Sequence, residues 1–430
     1  MAGAIARWFN ERAPGLAPMY RKHMTEYYAP KNFNVMYYFG SLAMLVLVNQ
    51  ILTGIFLAMF YKPSALEVFP GTSEAFASVY YIMRDVDWGW LIRYMHTTGA
   101  SMFFVVVYLH MFRGLMYGSY KKPRELVWIL GMLIFLVLMA EAFMGYVLPW
   151  GNMSFWGAKV IISLFGAIPV VGETLVHWIM GDFSPADATL NRFFSLHVVA
   201  LPIVLLLLVV LHLAALHEVG SNNPDGVEIK KKKNEKGIPL DGIPFHPYYT
   251  VKDLFGVGMF LLICAFIIFF APGMGGWFLE HDNFVPANHL VTPAAIKPVW
   301  YFTPFYAILR MIPFKLPGVL TMFGAIILLF LTPWIDRGQV KSIRYRGTGY
   351  KIALALFAVS FISLGLVGAE VTAEAIPMIF GANADITSIE NLFGRFWVLV
   401  YFGFFVFLWV YTYFGLEKTK PVPERVTTHD

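Results

Sequence analysis

Charged residues are scarce in this chain, and cysteine is almost absent. Only 14% of the 430 residues are Asp, Glu, Lys or Arg, against roughly 25% in soluble domains. Together with 58% apolar residues and a mean hydropathy of +0.63, this excludes a soluble globular protein and indicates an integral membrane protein. The single cysteine, Cys264, excludes a disulfide framework, a thiolate metal cluster and a CxxCH haem attachment site. Any metal or cofactor must therefore have other ligands.

Long apolar stretches, in contrast, are abundant. The N-terminal MAGAIARWFNERAPG is too charged, and its apolar run too short, for a cleaved signal, so we expect the first span to direct insertion. Eight stretches can cross roughly 30 Å of hydrocarbon, and we name them spans 1 to 8. They lie near residues 35–60, 90–116, 127–149, 195–217, 254–271, 318–335, 352–370 and 394–415. The predicted fold is an all-α integral membrane protein with eight transmembrane helices.

Lysine and arginine predict the orientation of these spans. With eight spans both termini share one side, and 23 of the 32 basic residues fall on that side. The positive-inside rule then places both termini in the cytoplasm of a bacterial inner membrane.

The polar segment VGSNNPDGVEIKKKKNEKGIPLDG between spans 4 and 5 is the strongest boundary signal. It divides an N-terminal half, residues 1–220, from a basic cytoplasmic loop, 221–250, and a C-terminal half, 251–416. Residues 417–430 form a tail, and we expect its last segment, VPERVTTHD, to be disordered. The KKKK run favours a solvated loop facing lipid headgroups, with a specific docking role as the alternative.

Four of the eleven histidines lie inside apolar runs, two in span 2 and two in span 4. His96 and His110 are fourteen residues apart, which puts them within about 40° of one helix face and about 21 Å apart along the axis. His197 and His212 are fifteen apart, but Pro202 lies between them, and a kink or π-type widening there can absorb one residue. Spans 2 and 4 run in the same direction. His96 should therefore face His197 near the outer surface, and His110 should face His212 near the inner one.

This pairing favours metal ligation. A lone membrane histidine is more often a hydrogen-bonded packing residue, but chance seldom places two matched pairs at equal depths. Imidazole is an axial ligand of haem iron. We therefore predict two non-covalent b-type haems, the outer on His96 and His197 and the inner on His110 and His212.

Glycines in spans 1 and 3 follow the same spacing. One pair is Gly40 and Gly54 and the other is Gly131 and Gly145, each fourteen apart, so that both depths have room for a flat macrocycle. Close helix packing by small residues is the alternative reading. Two arginines, Arg93 and Arg113, stand three residues from His96 and His110 and could meet haem propionates or act as interfacial anchors.

At this point the chain resembles the cytochrome b family, the membrane subunit of quinol:cytochrome c oxidoreductases, over roughly residues 30–416. The resemblance rests on RYMHTTGASMFF, GYVLPWGNMSFWGAKVI, TLNRFFSLH, HEVGSNNPDG, IPFHPYYTVKDLFG and PVWYFTPFYAILR. It implies quinol oxidation at an outer site, transfer of one electron across the membrane through the two haems to a quinone at an inner site, and a contribution to the proton gradient. It also implies partners: a Rieske-type iron-sulfur protein, a cytochrome c-type subunit, membrane lipid and a second copy in a dimer. No nucleic-acid partner is expected.

The resemblance also implies the two quinone sites. For the inner site it points to His217, Asn222, Lys252 and Asp253, where a histidine and a carboxylate could hydrogen-bond the quinone carbonyls and supply protons. Capping of span 5 is the alternative role of the last two. For the outer site it points to Tyr146, Gly157, the PVWY segment with Tyr301, and Tyr306. The stretch after span 3, GNMSFWGAKVIISLFGAIP, is amphipathic and should lie along the outer surface as a lid.

Two departures from the family pattern stand out. The fifteen-residue histidine spacing in span 4 resembles the split photosynthetic members, although here spans 5 to 8 continue on one chain. The second departure is Val299, which replaces the glutamate of the usual PEWY motif, the residue assigned to take the quinol proton.

Glu141, in the outer half of span 3, could replace that missing glutamate. It precedes Gly145 by one turn and shares its face, toward the bundle interior. We therefore predict that Glu141 accepts or relays the quinol proton; the alternative is a structural carboxyl group. His281 and Asp282, in the loop between spans 5 and 6, are rival proton carriers, but we favour the alternative that both are ordinary solvated loop residues.

A secondary transporter is the competing class of function. In it Glu141 and the histidines would form a proton relay around a substrate cavity. That class predicts no chromophore and paired broken helices in two repeats, and the sequence contains no such repeat.

Overall fold

Eight helices are long and apolar enough to cross a membrane in the computed structural model, which describes residues 2–427. They are Val35–Ala58, Gly89–Tyr117, Glu125–Val147, Asp187–Val219, Phe245–Phe270, Lys315–Ile335, Thr348–Gly368 and Ile386–Tyr413. At 1.5 Å per residue even the shortest covers the hydrocarbon thickness. The predicted all-α, eight-span architecture is confirmed, with ends that differ from the predicted ones by up to nine residues.

The chain forms sixteen α-helices in its described part, of which the longer ones belong to the eight spans and most of the shorter ones lie between or before them. The helices in chain order are α1 (Ala2–Arg12), α2 (Leu16–Tyr20), α3 (Tyr38–Ala58), α4 (Glu74–Arg84), α5 (Gly89–Tyr117), α6 (Glu125–Val147), α7 (Asn152–Ser163), α8 (Gly172–Met180), α9 (Asp187–Ser195), α10 (Leu201–Val219), α11 (Thr250–Phe270), α12 (Thr303–Met311), α13 (Lys315–Ile335), α14 (Thr348–Gly368), α15 (Val371–Phe380) and α16 (Ile386–Tyr413). The short strands are β1 (Tyr28–Pro30), β2 (Glu67–Phe69), β3 (Thr72–Ser73) and β4 (Gly242–Pro244), paired antiparallel as β1 with β4 and β2 with β3.

The two halves pack in different ways. In the N-terminal half α3 lies against α5 and α6 lies against α10, while in the C-terminal half α14 packs between α12 and α16. Many apolar side chains of the spans face outward, as expected where lipid replaces water. The amphipathic stretch after span 3 forms α7, which does not span the membrane.

A π-helical turn, Leu196–Ala200, precedes α10 and contains His197. Pro202 follows shortly after this turn, inside the continuous span Asp187–Val219, and the N–H of Leu201 donates to the carbonyl of Leu196. A π turn holds more residues than an α turn, so it absorbs the extra residue between the two histidines of span 4. The predicted widening is confirmed.

Buried ion pairs join the loops on the side of the termini. Arg346, only 1% exposed, bonds both Asp336 (2.5 and 3.1 Å) and Glu417 (2.8 Å to each oxygen). Lys121 approaches Asp336 at 2.8 Å. Burial alone would raise the pKa of Asp336, but the charges of Lys121 and Arg346 outweigh it and hold that pKa below its ordinary value. The loops after spans 2 and 6 and the C-terminal segment are thus connected through one cluster.

The C-terminal residues Arg425 to Thr427 pack against the basic loop, which corrects the expectation of a disordered segment there. Arg425 pairs with Asp241 at 2.8 Å, and the backbone N–H of Thr427 donates to Asp225 at 2.8 Å. The side chain of Val426 is buried. The basic loop supplies both acidic partners, a long-range contact that composition alone does not reveal. Residues 428–430 of the predicted tail lie outside the described part of the chain.

Candidate functional site

Four histidines form two facing pairs inside the N-terminal half. The ring centroids of His96 and His197 are 6.3 Å apart with planes at 87°, and those of His110 and His212 are 6.4 Å apart at 58°. This separation leaves room for one metal ion bonded at about 2 Å to each imidazole. The spatial pairing predicted from the spacing is therefore present at both depths.

Glycines approach each histidine ring from the neighbouring helices. A Cβ added at Gly40 would lie 3.5 Å from His110 Cε1, and one at Gly54 would lie 3.3 Å from His96 Cε1. The corresponding distances are 3.3 Å from Gly131 to His212 and 2.5 Å from Gly145 to His197. Each pair thus sits in a cradle that a side chain would fill. These residues fit a flat macrocycle with two axial imidazoles.

The outer histidines have defined partners on their second ring nitrogen. His96 Nδ1 lies 2.9 Å from Thr53 Oγ1, whose own hydroxyl donates to the Asn49 carbonyl at 2.6 Å. His197 Nδ1 lies 2.9 Å from the backbone oxygen of Glu141 and 3.1 Å from its carboxylate Oε1. Such contacts fix the tautomer and leave Nε2 of each ring for a metal.

Glu141 therefore points into the bundle, as its spacing from Gly145 predicted. Its carboxylate Oε1 contacts the imidazole of His197, and its Oε2 is buried without a hydrogen-bond partner among the described residues. The predicted proton-accepting role is not tested by these contacts and stays a prediction.

The two arginines near the histidines face aromatic rings. The guanidinium of Arg113 stacks 4.8 Å over Tyr37, and its Nε is buried without a partner in the described chain. Arg93 lies near Tyr61 and Tyr94. Neither forms an ion pair with a described carboxylate, which leaves both available for anionic groups; the predicted propionate contacts stay predictions.

Two of the predicted outer-site residues, Tyr146 and Tyr301, lie near each other, and the others have separate contacts. Tyr301 is 4% exposed, stacks on Phe104 at 4.0 Å, and its carbonyl accepts a 2.5 Å hydrogen bond from Tyr108. Tyr306 donates to the carbonyl of Ile296 at 3.0 Å. A Cβ at Gly157 would meet nothing within 4 Å, so the backbone there borders open space.

Glu280 lies beside the predicted outer-site residue Tyr146, and sequence reasoning did not single it out. It belongs to the loop between spans 5 and 6, and the hydroxyl of Tyr146 donates to its carboxylate. Burial raises the pKa of Glu280 to about 6. The available signal was its position in the loop segment FLEHDNF, one residue before His281. Sequence spacing cannot place it beside Tyr146, 134 residues away.

Two of the predicted inner-site residues, His217 and Lys252, contact aromatic residues of the segment before span 1, namely Tyr27 and Phe33. His217 stacks on Tyr27 at 4.4 Å. Lys252 donates to the carbonyl of Phe33 at 3.1 Å, and Asn222 donates to the carbonyl of Tyr117 at 2.7 Å.

Further contacts hold this group together. Phe33 stacks on Tyr37 at 4.0 Å, and Tyr37 lies 6.1 Å from Tyr117. The buried Asn222 Oδ1 has no partner in the described residues, whereas Asp253, on the first turn of α11, lies beside Ser41. Tyr27 and Phe33 were not predicted, since only the tertiary fold brings them here.

Eight membrane spans with two imidazole pairs at different depths are the architecture of a multi-span membrane cytochrome. Comparisons with known proteins agree. The family described as Cytochrome b/b6/petB matches residues 24–220, and that described as Cytochrome b(C-terminal)/b6/petD matches residues 286–389. Cytochrome b of Allochromatium vinosum is 56% identical over 98% of both chains, and that of Rhodospirillum rubrum is 49% identical over 98% of this chain and 96% of the relative.

A solved structure titled Hyperthermophilic respiratory Complex III superposes with a TM-score of 0.83 at 37% identity, covering 95% of this chain and 98% of that one. The chain belongs to the cytochrome b family, as the cytochrome b subunit of a Complex III-type cytochrome bc complex. It is a multi-pass membrane protein and the subunit of an oxidoreductase, which removes the transporter alternative.

Proposed function

We propose that this chain oxidises quinol at an outer site, transfers one electron of each quinol across the membrane, and reduces a quinone at an inner site. The observation that carries the proposal is the pair of imidazole sites at two depths, spaced fourteen residues apart on α5, or about 21 Å. Electron transfer across a bilayer needs redox centres between its two surfaces, and the two imidazole pairs provide a site for one centre at each depth.

Two non-covalent b-type haems are the proposed cofactors. His96 and His197 would hold the outer one, His110 and His212 would hold the inner one, and the haems would supply one-electron redox chemistry. The four glycines leave the rings accessible, and the hydrogen bonds on Nδ1 of the outer histidines orient their imidazoles. Arg93 and Arg113 are the proposed cations for the haem propionates.

Quinone binds at two places in this proposal. At the outer site Tyr146, Tyr301, Tyr306 and the open backbone at Gly157 line the quinol pocket. At the inner site the quinone oxygens accept or share hydrogen bonds with four side chains, those of His217, Asn222, Lys252 and Asp253. The acidic and basic groups among them also supply protons.

The partners are those that quinol oxidation requires beyond this chain. A Rieske-type iron-sulfur protein takes the other electron and passes it to a cytochrome c-type subunit, because the chain contains neither iron-sulfur ligands nor a CxxCH motif. We place the complex in a bacterial inner membrane, as a homodimer, with both termini of this chain in the cytoplasm, where 23 of 32 basic residues would lie.

The test is spectroscopic. Reduced-minus-oxidised spectra of the purified complex should contain two b-type components, one lost in His96→Leu and the other in His110→Leu. His289→Leu, in the exposed loop between spans 5 and 6, is the matched control and should keep both. A wild-type complex without any b-type band, or without quinol-dependent cytochrome c reduction, would refute the proposal.

A further inference from the structure

The outer pocket contains a carboxylate, although its PVWY segment does not. Val299 is 6% exposed and has no proton-accepting group. The carboxylate comes instead from Glu280, which accepts a hydrogen bond from the hydroxyl of Tyr146. Glu280 itself is half-buried. A carboxylate of different origin thus reaches the same pocket.

Hydrogen bonds fix the loop that positions this carboxylate. The hydroxyl of Ser154 donates to the carbonyl of Tyr146 at 2.6 Å, and the N–H of Ser154 donates to Asn283 Oδ1 at 2.8 Å. Gly151 and Pro286 form an isolated antiparallel bridge. The contact between Tyr146 and Glu280 is therefore a property of the packed loop and does not depend on a single flexible side chain.

Several groups set the charge state of Glu280. Burial raises its pKa to about 6; the hydrogen bond from Tyr146 and the charge of Lys297 act in the opposite direction, and Asp282 adds to the increase. Tyr301 faces it from the PVWY segment. A group with a pKa near 6 can both take and release a proton close to neutral pH.

We infer that Glu280 is the carboxylate that accepts a proton from quinol at the outer site, with Tyr146 as its hydrogen-bonding partner. The inference rests on the proposed quinol oxidation. Conversion of one quinol to quinone breaks two O–H bonds and releases two protons and two electrons. The electrons go to the two one-electron acceptors of the complex, the iron-sulfur partner and the b-type haem. One proton goes to Glu280 and the other to the outer aqueous phase.

The experiment is the pH profile of quinol-dependent cytochrome c reduction by the purified complex. In the wild type turnover should rise through about pH 6 as Glu280 loses its proton. In Glu280→Gln we expect turnover to fall about a hundredfold, the size of a lost general base, and the acidic limb to disappear while both b-type bands remain. Tyr146→Phe should move the acidic limb to higher pH. The hydrogen bond from Tyr146 stabilises the carboxylate form of Glu280, so its removal raises the pKa of Glu280.

The matched control is Asp282→Asn in the same loop. It should keep turnover and move the limb slightly to lower pH, because Asp282 raises the pKa of Glu280. Near wild-type turnover with an intact acidic limb in Glu280→Gln would overturn the inference, as would loss of the limb in Asp282→Asn or Glu141→Gln alone. If Glu280→Gln loses its haem bands, the pH profile of Glu280→Asp is measured instead. An unchanged acidic limb in that variant refutes the inference, and a shifted acidic limb supports it. A wild-type complex inactive toward quinol would instead refute the proposed function.

A second observation concerns Glu141. Its carboxylate and its backbone oxygen both face Nδ1 of His197, at 3.1 and 2.9 Å, whereas His96 has a neutral hydroxyl in the equivalent place. Of the inner histidines, His212 lies beside the backbone oxygen of Val127, and neither of the two has a carboxylate partner among the described residues. Only one of the four imidazoles therefore has a carboxylate partner among the described residues.

The geometry points to Glu141 as a positioning residue for His197. The backbone oxygen of Glu141 accepts the hydrogen bond that fixes the ring, and the carboxylate 3.1 Å from the same nitrogen makes the imidazole a stronger donor to a bound metal. A stronger donor favours the oxidised metal, so this contact should lower the midpoint potential of the outer haem of the proposed function.

Redox titration of the two b-type bands tests this role without measuring turnover. Glu141→Gln should move the outer-haem potential to a more positive value, alter its low-temperature spectrum and leave the inner haem unchanged. Glu125→Gln, at the other end of α6, is the control and should change neither. An unchanged outer potential in Glu141→Gln, or an equal shift in Glu125→Gln, would contradict the inference.

Discussion

At the scale of single residues, the four glycines facing the histidines differ in how tightly they pack. An added Cβ would lie 3.3 to 3.5 Å from the ring at Gly40, Gly54 and Gly131, distances that small shifts can relieve, but 2.5 Å from His197 at Gly145. The ring of His197 is also held by Glu141, so it has little freedom to move away. The outer site should therefore be the less tolerant one.

Gly145→Ala is accordingly expected to displace His197 and remove the outer b-type component from the reduced-minus-oxidised spectrum. Gly40→Ala, at the inner depth, should retain both components. Gly324→Ala, where a Cβ would meet nothing within 4 Å, controls for the cost of alanine in a spanning helix. Retention of the outer component in Gly145→Ala would show that the helix can shift to accommodate the methyl group.

Periodicity predicted the histidine and glycine faces because both follow from helix geometry alone. The same argument gave the direction of Glu141 but not its partner, since His197 lies on another helix. Glu280 was beyond such reasoning. Its role depends on a loop whose path is set by contacts with Tyr146 and Ser154, far away in sequence.

At the scale of elements, the π turn Leu196–Ala200 explains the two histidine spacings. It lets histidines fifteen residues apart in span 4 face the histidines that are fourteen residues apart on α5. An extra residue confined to one widened turn leaves the helix on either side in its original rotation. An extra residue in a regular α-helix instead rotates everything beyond it by about 100°.

Two length variants follow from this difference. Deletion of Val199, a lipid-facing residue that is 56% exposed, should convert the π turn to an α turn and keep both b-type components. Insertion of one alanine after Leu206 should rotate His212 away from His110 and remove the inner component. Equal haem-to-protein ratios in the two variants, measured by absorption, would show that the turn does not have this function.

At the scale of the whole molecule, buried charges connect the loops on the side of the termini. Arg346, Asp336, Glu417 and Lys121 join three segments far apart in sequence, and Arg346 also lies 3.5 Å over the ring of Tyr350. Composition predicted which side was basic. It could not predict this cluster, because the acidic partners belong to different loops.

The cluster predicts how stability depends on pH. The pKa of Asp336 is lower in the folded state than in the unfolded chain, so its contribution is present above about pH 4 and is lost as the pH falls through the folded-state value. Asp336→Asn should cost about 3 kcal/mol, typical of a broken buried pair, and should flatten this acid dependence. Thermal unfolding of the detergent-solubilised protein between pH 3 and 7 measures both effects.

Lys232→Ala is the comparison, since it removes the exposed pair with Glu424. It should leave the unfolding temperature unchanged at every pH. An equal loss of stability in the two variants would show that burial of the cluster contributes nothing.

The distribution of ligands along the chain also has a consequence for biosynthesis. All four histidines lie between residues 96 and 212, within spans 2 and 4, whereas Glu280 and Tyr301 come from residues made later. Domains emerge and fold from the N-terminus during synthesis. The ribosome therefore completes both imidazole pairs before it makes Glu280 and Tyr301 of the proposed outer pocket, so the newly made protein can acquire the proposed haems before that pocket is complete.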